Sequence, residues 1–245
     1  MSKEANSLDK KGILLALCGL IGPIIYFIVL IVLGTLWEGY DPISQGMSEL
    51  GAADSPYAFF MNLFGFQLLG IFIIAFGIGL NRYLNSKWVS KIGIALIVIG
   101  GIDLIIVGFF PTDVGGITST FVGLVHDITA TMASNVIILG MIFLGLLFRG
   151  ETVWKNYWVF TLALALASLS LSPFPLFSEN NEYLGLFQRL GIGFALFWMA
   201  IISIKMIYLI HKLKGAGSKI GETVSHKQIF NNYERGVNTI WDLVL

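Results

Sequence analysis

Apolar residues gather in six long blocks near residues 12–36, 58–80, 92–110, 125–148, 157–177 and 186–210. Crossing a hydrocarbon core takes roughly 20 helical residues, and each block is about that long. Inside lipid a segment has to satisfy its own backbone hydrogen bonds, and blocks that are continuously apolar lack the alternation of a barrel wall. The pattern therefore predicts an all-α, polytopic bundle of six transmembrane helices over residues 1–214, followed by a tail over 215–245. The first block runs about 25 residues, too long for the core of a secretory signal, and no small-residue cleavage site follows it. It is read as a first transmembrane helix.

Composition agrees: 56% of the residues are apolar, 12% are charged, and the mean hydropathy is +0.82. Fifteen basic and fifteen acidic residues leave no net positive charge to displace counterions from phosphates, which argues against nucleic-acid binding. The single cysteine, Cys18, has no partner for a disulfide framework.

The charges are sorted along the chain. Lys3, Lys10, Lys11, Arg82, Lys87, Lys91, Arg149, Lys155, Lys205, Lys212, Lys214, Lys219, Lys227 and Arg235 all fall on one face of a six-span topology. The positive-inside rule makes that face cytoplasmic and puts both termini there, in a cell-membrane protein. Arg189 alone faces outward, among Glu38, Asp41, Glu49, Asp54, Asp113, Asp127, Glu179 and Glu182. Trp37, Tyr57, Trp88, Trp154, Trp158 and Tyr183 fall at span ends, as interfacial anchors do.

The first outward loop, 37–57, is long for a hairpin, and its Ser48–Gly51 segment is too apolar for a solvated linker. It is expected to fold back over the outer mouth of the bundle. Beyond Lys214, Ile229, Phe230, Tyr233, Val237, Ile240, Trp241 and Val244 recur at helical spacing. That pattern predicts an amphipathic cytoplasmic helix lying on the membrane, on a protein partner or on a second copy of the chain. A weak repeat relates Phe109–Asp113 and Gly123–Asp127 to Pro173–Phe177 and Gly185–Arg189, which sets His126 and Asp127 in the places of Gln188 and Arg189.

Four short motifs stand at outward span ends: Ser48-Glu49-Leu50-Gly51-Ala52 in the first loop, Phe110-Pro-x-Asp113 closing span 3, His126 opening span 4 and Gln188-Arg189 opening span 6. In this order the chain resembles the six-span prokaryotic membrane proteins grouped as domain-of-unknown-function family nine-nine-eight, over roughly residues 12–212. The resemblance implies the fold and the outward positions of these residues, and no reaction.

If the outer span ends converge, Ser48, Glu49, Asp113, His126, Asp127, Gln188 and Arg189 line one vestibule. The N-termini of spans 4 and 6 add positive dipole to it, which favours an anion. An ion pair of Arg189 with Glu49, Asp113 or Asp127, tying loop to helices, is the structural expectation for the same residues. The functional expectation is a small amphiphile or lipid head group, with Arg189 and His126 as anion contacts oriented by Glu49 and Asp113. A membrane-embedded hydrolase or transferase would use His126 as a general base with its tautomer fixed by Asp127 or Asp113, or as a metal ligand with those carboxylates, the catalytic candidates being His126, Asp113 and Glu49. No metal site and no cofactor is assigned. A three-histidine zinc site and a bis-histidine haem are excluded, because His211 and His226 are on the opposite side. Ser44 and Ser48 lack the elbow motif of a serine nucleophile.

A second polar layer is expected roughly 12 to 14 Å below the outer boundary, counted at 1.5 Å per residue, from Gln67 in span 2, Asp103 in span 3 and Asn135 in span 4. An ionised Asp103 in lipid is costly, so it is expected to face the interior near Asn135 or Gln67, or to be protonated. Asp127, Thr131 and Asn135 share a helical stripe that would join this layer to the vestibule. The layer is either a hydrogen-bonded packing triad or a proton path, the latter making the protein a proton-coupled carrier in which Asp103 titrates. Gly93, Gly100, Gly101 and Gly108 in span 3 predict close helix contact, and Lys205 is expected to snorkel.

Overall fold

In the computed structural model, residues 3–84, 87–116, 118–171 and 182–220 are described, and among them the regular structure is entirely helical. Six helices follow one another: α1 Lys3–Leu36, α2 Ala58–Leu80, α3 Trp88–Val107, α4 Phe121–Arg149, α5 Trp158–Leu171 and α6 Leu184–Ile220. Met61–Gln67 within α2 is wound as a π-helix.

Five helices are long and apolar enough to cross a membrane: α1 over Lys10–Leu36, α2, α3, α4, and α6 over Leu184–Lys212. The described part of α5 has 14 residues, about 21 Å at 1.5 Å per residue and short of a full crossing. Residues 172–177 of the predicted fifth span, Glu179, and the Pro173–Phe177 copy of the repeat lie outside the described residues. Among the tail residues, 221–245 do as well.

Boundaries moved where capping chemistry overrides hydropathy. Helix α3 begins at Trp88 because the chain is extended at Lys87. Helix α4 begins at Phe121 because the Thr120 hydroxyl accepts from the Gly123 amide at 3.0 Å. Helix α6 continues past Lys214, the expected start of the tail, to Ile220.

The helices pack in sequence order, α1 on α2 through α5 on α6, and α6 returns to α1 to close a ring. Glycines set the close seams. A Cβ on Gly101 would lie 2.8 Å from the Gly70 carbonyl oxygen, and one on Gly93 would lie 2.8 Å from Leu144. The expectation for span 3 holds at these positions. The axis of the ring is apolar: Phe76 and Trp198 meet edge to face at 5.8 Å, beside a cavity of about 20 Å³ lined by Leu69, Ile73, Ile97, Leu104, Ile137 and Met199. A cavity so lined stays dry. At the end opposite the first loop, Trp154 is fully buried, stacks on Phe148 at 5.0 Å and donates to the Tyr83 carbonyl at 3.0 Å, while Lys87 pairs with Glu151 at 2.6 Å.

Candidate functional site

The loop after α1 turns back into the ring and closes one end of it. Met47, Glu49, Leu50, Gly51 and Ala52 are buried, in a 3₁₀ turn over Met47–Gly51. Burying polar backbone there requires partners, which α6 and α2 supply, while α1 holds a side chain of the turn. From α6, the Gln188 side-chain oxygen accepts from the Met47 amide at 3.0 Å. From α2, the Asn62 amide donates to the Gly51 carbonyl at 3.0 Å. From α1, the Tyr26 hydroxyl reaches the Met47 sulfur at 3.5 Å.

Glu49 works inside the loop. Its Oε1 accepts from the Gly46 amide at 2.7 Å and its Oε2 from the Gln45 side chain at 3.1 Å, the reciprocal half of a capping box. Ser48 is half-buried beside it.

Arg189 is the central latch. Its Nη1 donates to the Pro42 carbonyl at 2.6 Å and the Gln45 carbonyl at 3.0 Å, and its Nη2 to the Tyr40 hydroxyl at 2.5 Å. The guanidinium also lies 5.7 Å from the centre of the Tyr40 ring. Burial pushes the Tyr40 phenol up, and the neighbouring guanidinium opposes that shift. The expected ion pair with Glu49, Asp113 or Asp127 does not form, since among the described residues Arg189 meets no carboxylate. Carbonyl oxygens of a turn point inward together and outcompete carboxylates that are already satisfied by amides.

Asp113, Asp127 and His126 form a second group, at the connection from α3 to α4. Asp113 accepts from the Thr120 hydroxyl and from the Ser119 and Thr120 amides, each at 2.7 Å. These bonds, led by the Thr120 hydroxyl, hold its carboxyl at about 2. Thr118 donates to Asp127. His126 is 1% exposed. Its Nδ1 donates to the Phe110 carbonyl at 2.7 Å, because a carbonyl can only accept, which leaves Nε2 as an acceptor. That Nε2 is buried without a hydrogen-bond partner. Neither Asp113 nor Asp127 bonds to His126, so the general-base pairing is not assembled here.

The two groups touch where the Ala53 amide donates to the Thr112 carbonyl at 3.3 Å and where Gly116 approaches the Glu49 side chain. Among the described residues no three of His, Cys, Asp and Glu gather as a metal site would require.

The deeper layer does not assemble as expected. Asp103 is buried, and its Oδ2 has no partner. It stands on the α3 face that meets α4, between Gly100, packed on Ile137, and Val107. Gln67 is half-buried and packs on Gly108. Asn135 and Thr131 are exposed on the outside of the ring, so they neither reach Asp103 nor link it to the mouth. The stripe counted as inward faces outward because α4 presents Gly140 and Ala133 to α3 instead.

Sequence reasoning passed over Tyr40 and Asn62. Asn62 carried the same signal as Gln67, a polar side chain inside an apolar block. Tyr40 carried none, since aromatics at span ends are explained as anchors.

Fold and site together define a multi-pass helical membrane protein with one end closed by a latched loop. The model of the family described as "Protein of unknown function (DUF998)" matches residues 20–205. The chain belongs to that family, as its motifs suggested. No curated protein and no solved structure matches it.

Proposed function

We propose that this protein binds the anionic head group of a small amphiphile or membrane lipid at the outer mouth of its ring, beneath or beside the loop over 37–57, with Arg189 as the anchoring charge. The observation that carries this reading is the state of Arg189. Its donors go to a phenol and two carbonyls, so among the described residues its positive charge is met by dipoles and not cancelled by a carboxylate. A half-buried cation so placed attracts an anion, and exposed Ile43, Tyr183 and Leu186 near it offer apolar surface to an acyl chain. Glu49 and Gln188 fix the loop, and Asp113 fixes the start of α4. In this reading the chain makes six crossings. Both termini face the cytoplasm of a cell-membrane protein by the distribution of lysine and arginine.

A second reading, a proton-coupled carrier, rests on Asp103, whose buried oxygen lacks a partner in a spanning helix. A hydrolase or transferase centred on His126 has no such support, because no carboxylate among the described residues bonds to it.

The test is lipid retention. Wild-type protein exchanged into nanodiscs of mixed phosphatidylcholine and phosphatidylglycerol is expected to keep the anionic lipid through purification, and Arg189→Gln to lose it. Tyr40→Phe, which removes one latch bond and keeps the charge, is expected to retain it. Equal retention by wild type and Arg189→Gln overturns the reading. Uptake abolished by Asp103→Asn with lipid retention intact moves the assignment to the carrier.

A further inference from the structure

Helix α4 packs against α3 on one flank and α5 on the other, which among the described residues leaves an outer stripe uncovered. Phe121, Leu124 and Ile128 on it are 75%, 45% and 50% exposed, and Thr131 and Asn135 continue it, also exposed. The spacing is 3, 4, 3, 4, and Leu139 follows at 43% exposure. From Phe121 to Asn135 this is the a/d register of a helix–helix seam, with an asparagine at one seam position; Leu139, a further four residues on, borders it.

The asparagine sits where lipid tolerates it least. Asn135 is the central residue of the 29-residue α4, with 14 residues on either side. An interface about 15 Å away is beyond the reach of its short side chain. One amide hydrogen goes to the Thr131 carbonyl at 2.9 Å. The other hydrogen and the side-chain oxygen then face hydrocarbon, where an unmet polar group is costly.

We infer that this stripe is a dimer seam and that its occupant is a second copy of the same chain. The argument is one of depth and chemistry. Two copies inserted in the same orientation and related by a two-fold axis along the membrane normal place residue 135 opposite residue 135, at the same depth. A carboxamide carries both donor and acceptor, so it pairs with its own copy. Thr131 adds a hydroxyl one turn away. The apolar positions on either side then meet themselves, as a two-fold seam requires. This inference is independent of the head-group reading and involves none of its residues.

The experiment uses the full chain labelled for energy transfer in liposomes, with dimer fraction followed as the protein-to-lipid ratio is lowered. Interhelical hydrogen bonds in membranes are worth about 0.6–2 kcal/mol, so Asn135→Leu is expected to raise the dissociation constant roughly 3- to 30-fold. Asn135→Gln keeps the amide and is expected to stay close to wild type. Asn135 is exposed, so neither change disturbs the fold of one copy, and unfolding midpoints should coincide. In a Cys18→Ser background, Ile128→Cys is expected to crosslink the chain to itself in native membranes, and Ile204→Cys, exposed on α6, is not. A monomer at every ratio overturns the inference. So does an unchanged dissociation constant for Asn135→Leu, or crosslinking of Ile128→Cys to another protein with none to itself.

Discussion

Replacing Arg189 by glutamine removes three donors from the loop that closes the ring. The lost bonds, at 2.6 and 3.0 Å to the Pro42 and Gln45 carbonyls and at 2.5 Å to the Tyr40 hydroxyl, leave acceptors that water only partly reaches. A hydrogen bond to a charged donor contributes more than a neutral one, but Arg189 is only half-buried, so about 1 kcal/mol each is the discounted figure and the three sum to about 3 kcal/mol. Since each 1.4 kcal/mol is tenfold, loop opening should rise on the order of 100-fold. Hydrogen exchange in nanodiscs reads this directly at amides whose partners belong to the latch: Gly46 to Glu49, Met47 to Gln188 and Glu49 to the Gly46 carbonyl. Those amides should exchange about two orders of magnitude faster in Arg189→Gln, and the amides of α3 should be unaffected. Acceleration below about 3-fold would refute the latch, because the contacts would then be doing no net work against loop opening. Uniform acceleration throughout the bundle would refute it differently, by showing a general loss of stability.

Two further predictions concern the ends and seams of the helices. Asp113 has its carboxyl at about 2 in the folded chain, below the roughly 3.9 of an unfolded aspartate. The stabilisation it gives is therefore fully present above about pH 4 and is lost as pH falls through about 2. Asp113→Ala should weaken protection of the Ser119–Gly123 amides at neutral pH, and its difference from wild type should shrink as pH drops from about 4 to 2. A difference that stays constant over that window would show that the carboxylate is not the cause. At the α2–α3 seam, a Cβ on Gly101 would meet the Gly70 carbonyl oxygen and Ile74 at 2.8 Å. Gly101→Ala should thus destabilise by about 1–3 kcal/mol in detergent unfolding. Gly191→Ala, whose nearest neighbour would be 3.7 Å away, should be neutral or slightly stabilising. Equal effects of the two would contradict the packing argument.

Much of the architecture was legible in the residue pattern because lipid imposes a one-dimensional constraint. The blocks at 58–80 and 12–36 correspond to Ala58–Leu80 and to the apolar part of α1. The return of the loop over 37–57 into the mouth was legible as well, since Leu50 and its small neighbours have no reason to stay in water. The partners of the site were not. Arg189 was matched to carboxylates on charge alone, whereas Asp113 and Glu49 had already been taken by amides three to seven residues away in sequence.

The sequence by itself determined that this chain is helical and membrane-spanning, which residues stand near the ends of its spans, and which polar groups lie within them, because hydrophobic length and backbone satisfaction depend on order along one segment. Only the tertiary structure decided which way each helix turns. The inward or outward direction of a side chain depends on the angle at which neighbouring helices make contact, set here by glycine seams that bring Asp103 inside and leave Asn135 outside. Hydropathy within a single block does not contain that angle, since lipid and a packed interior are both apolar.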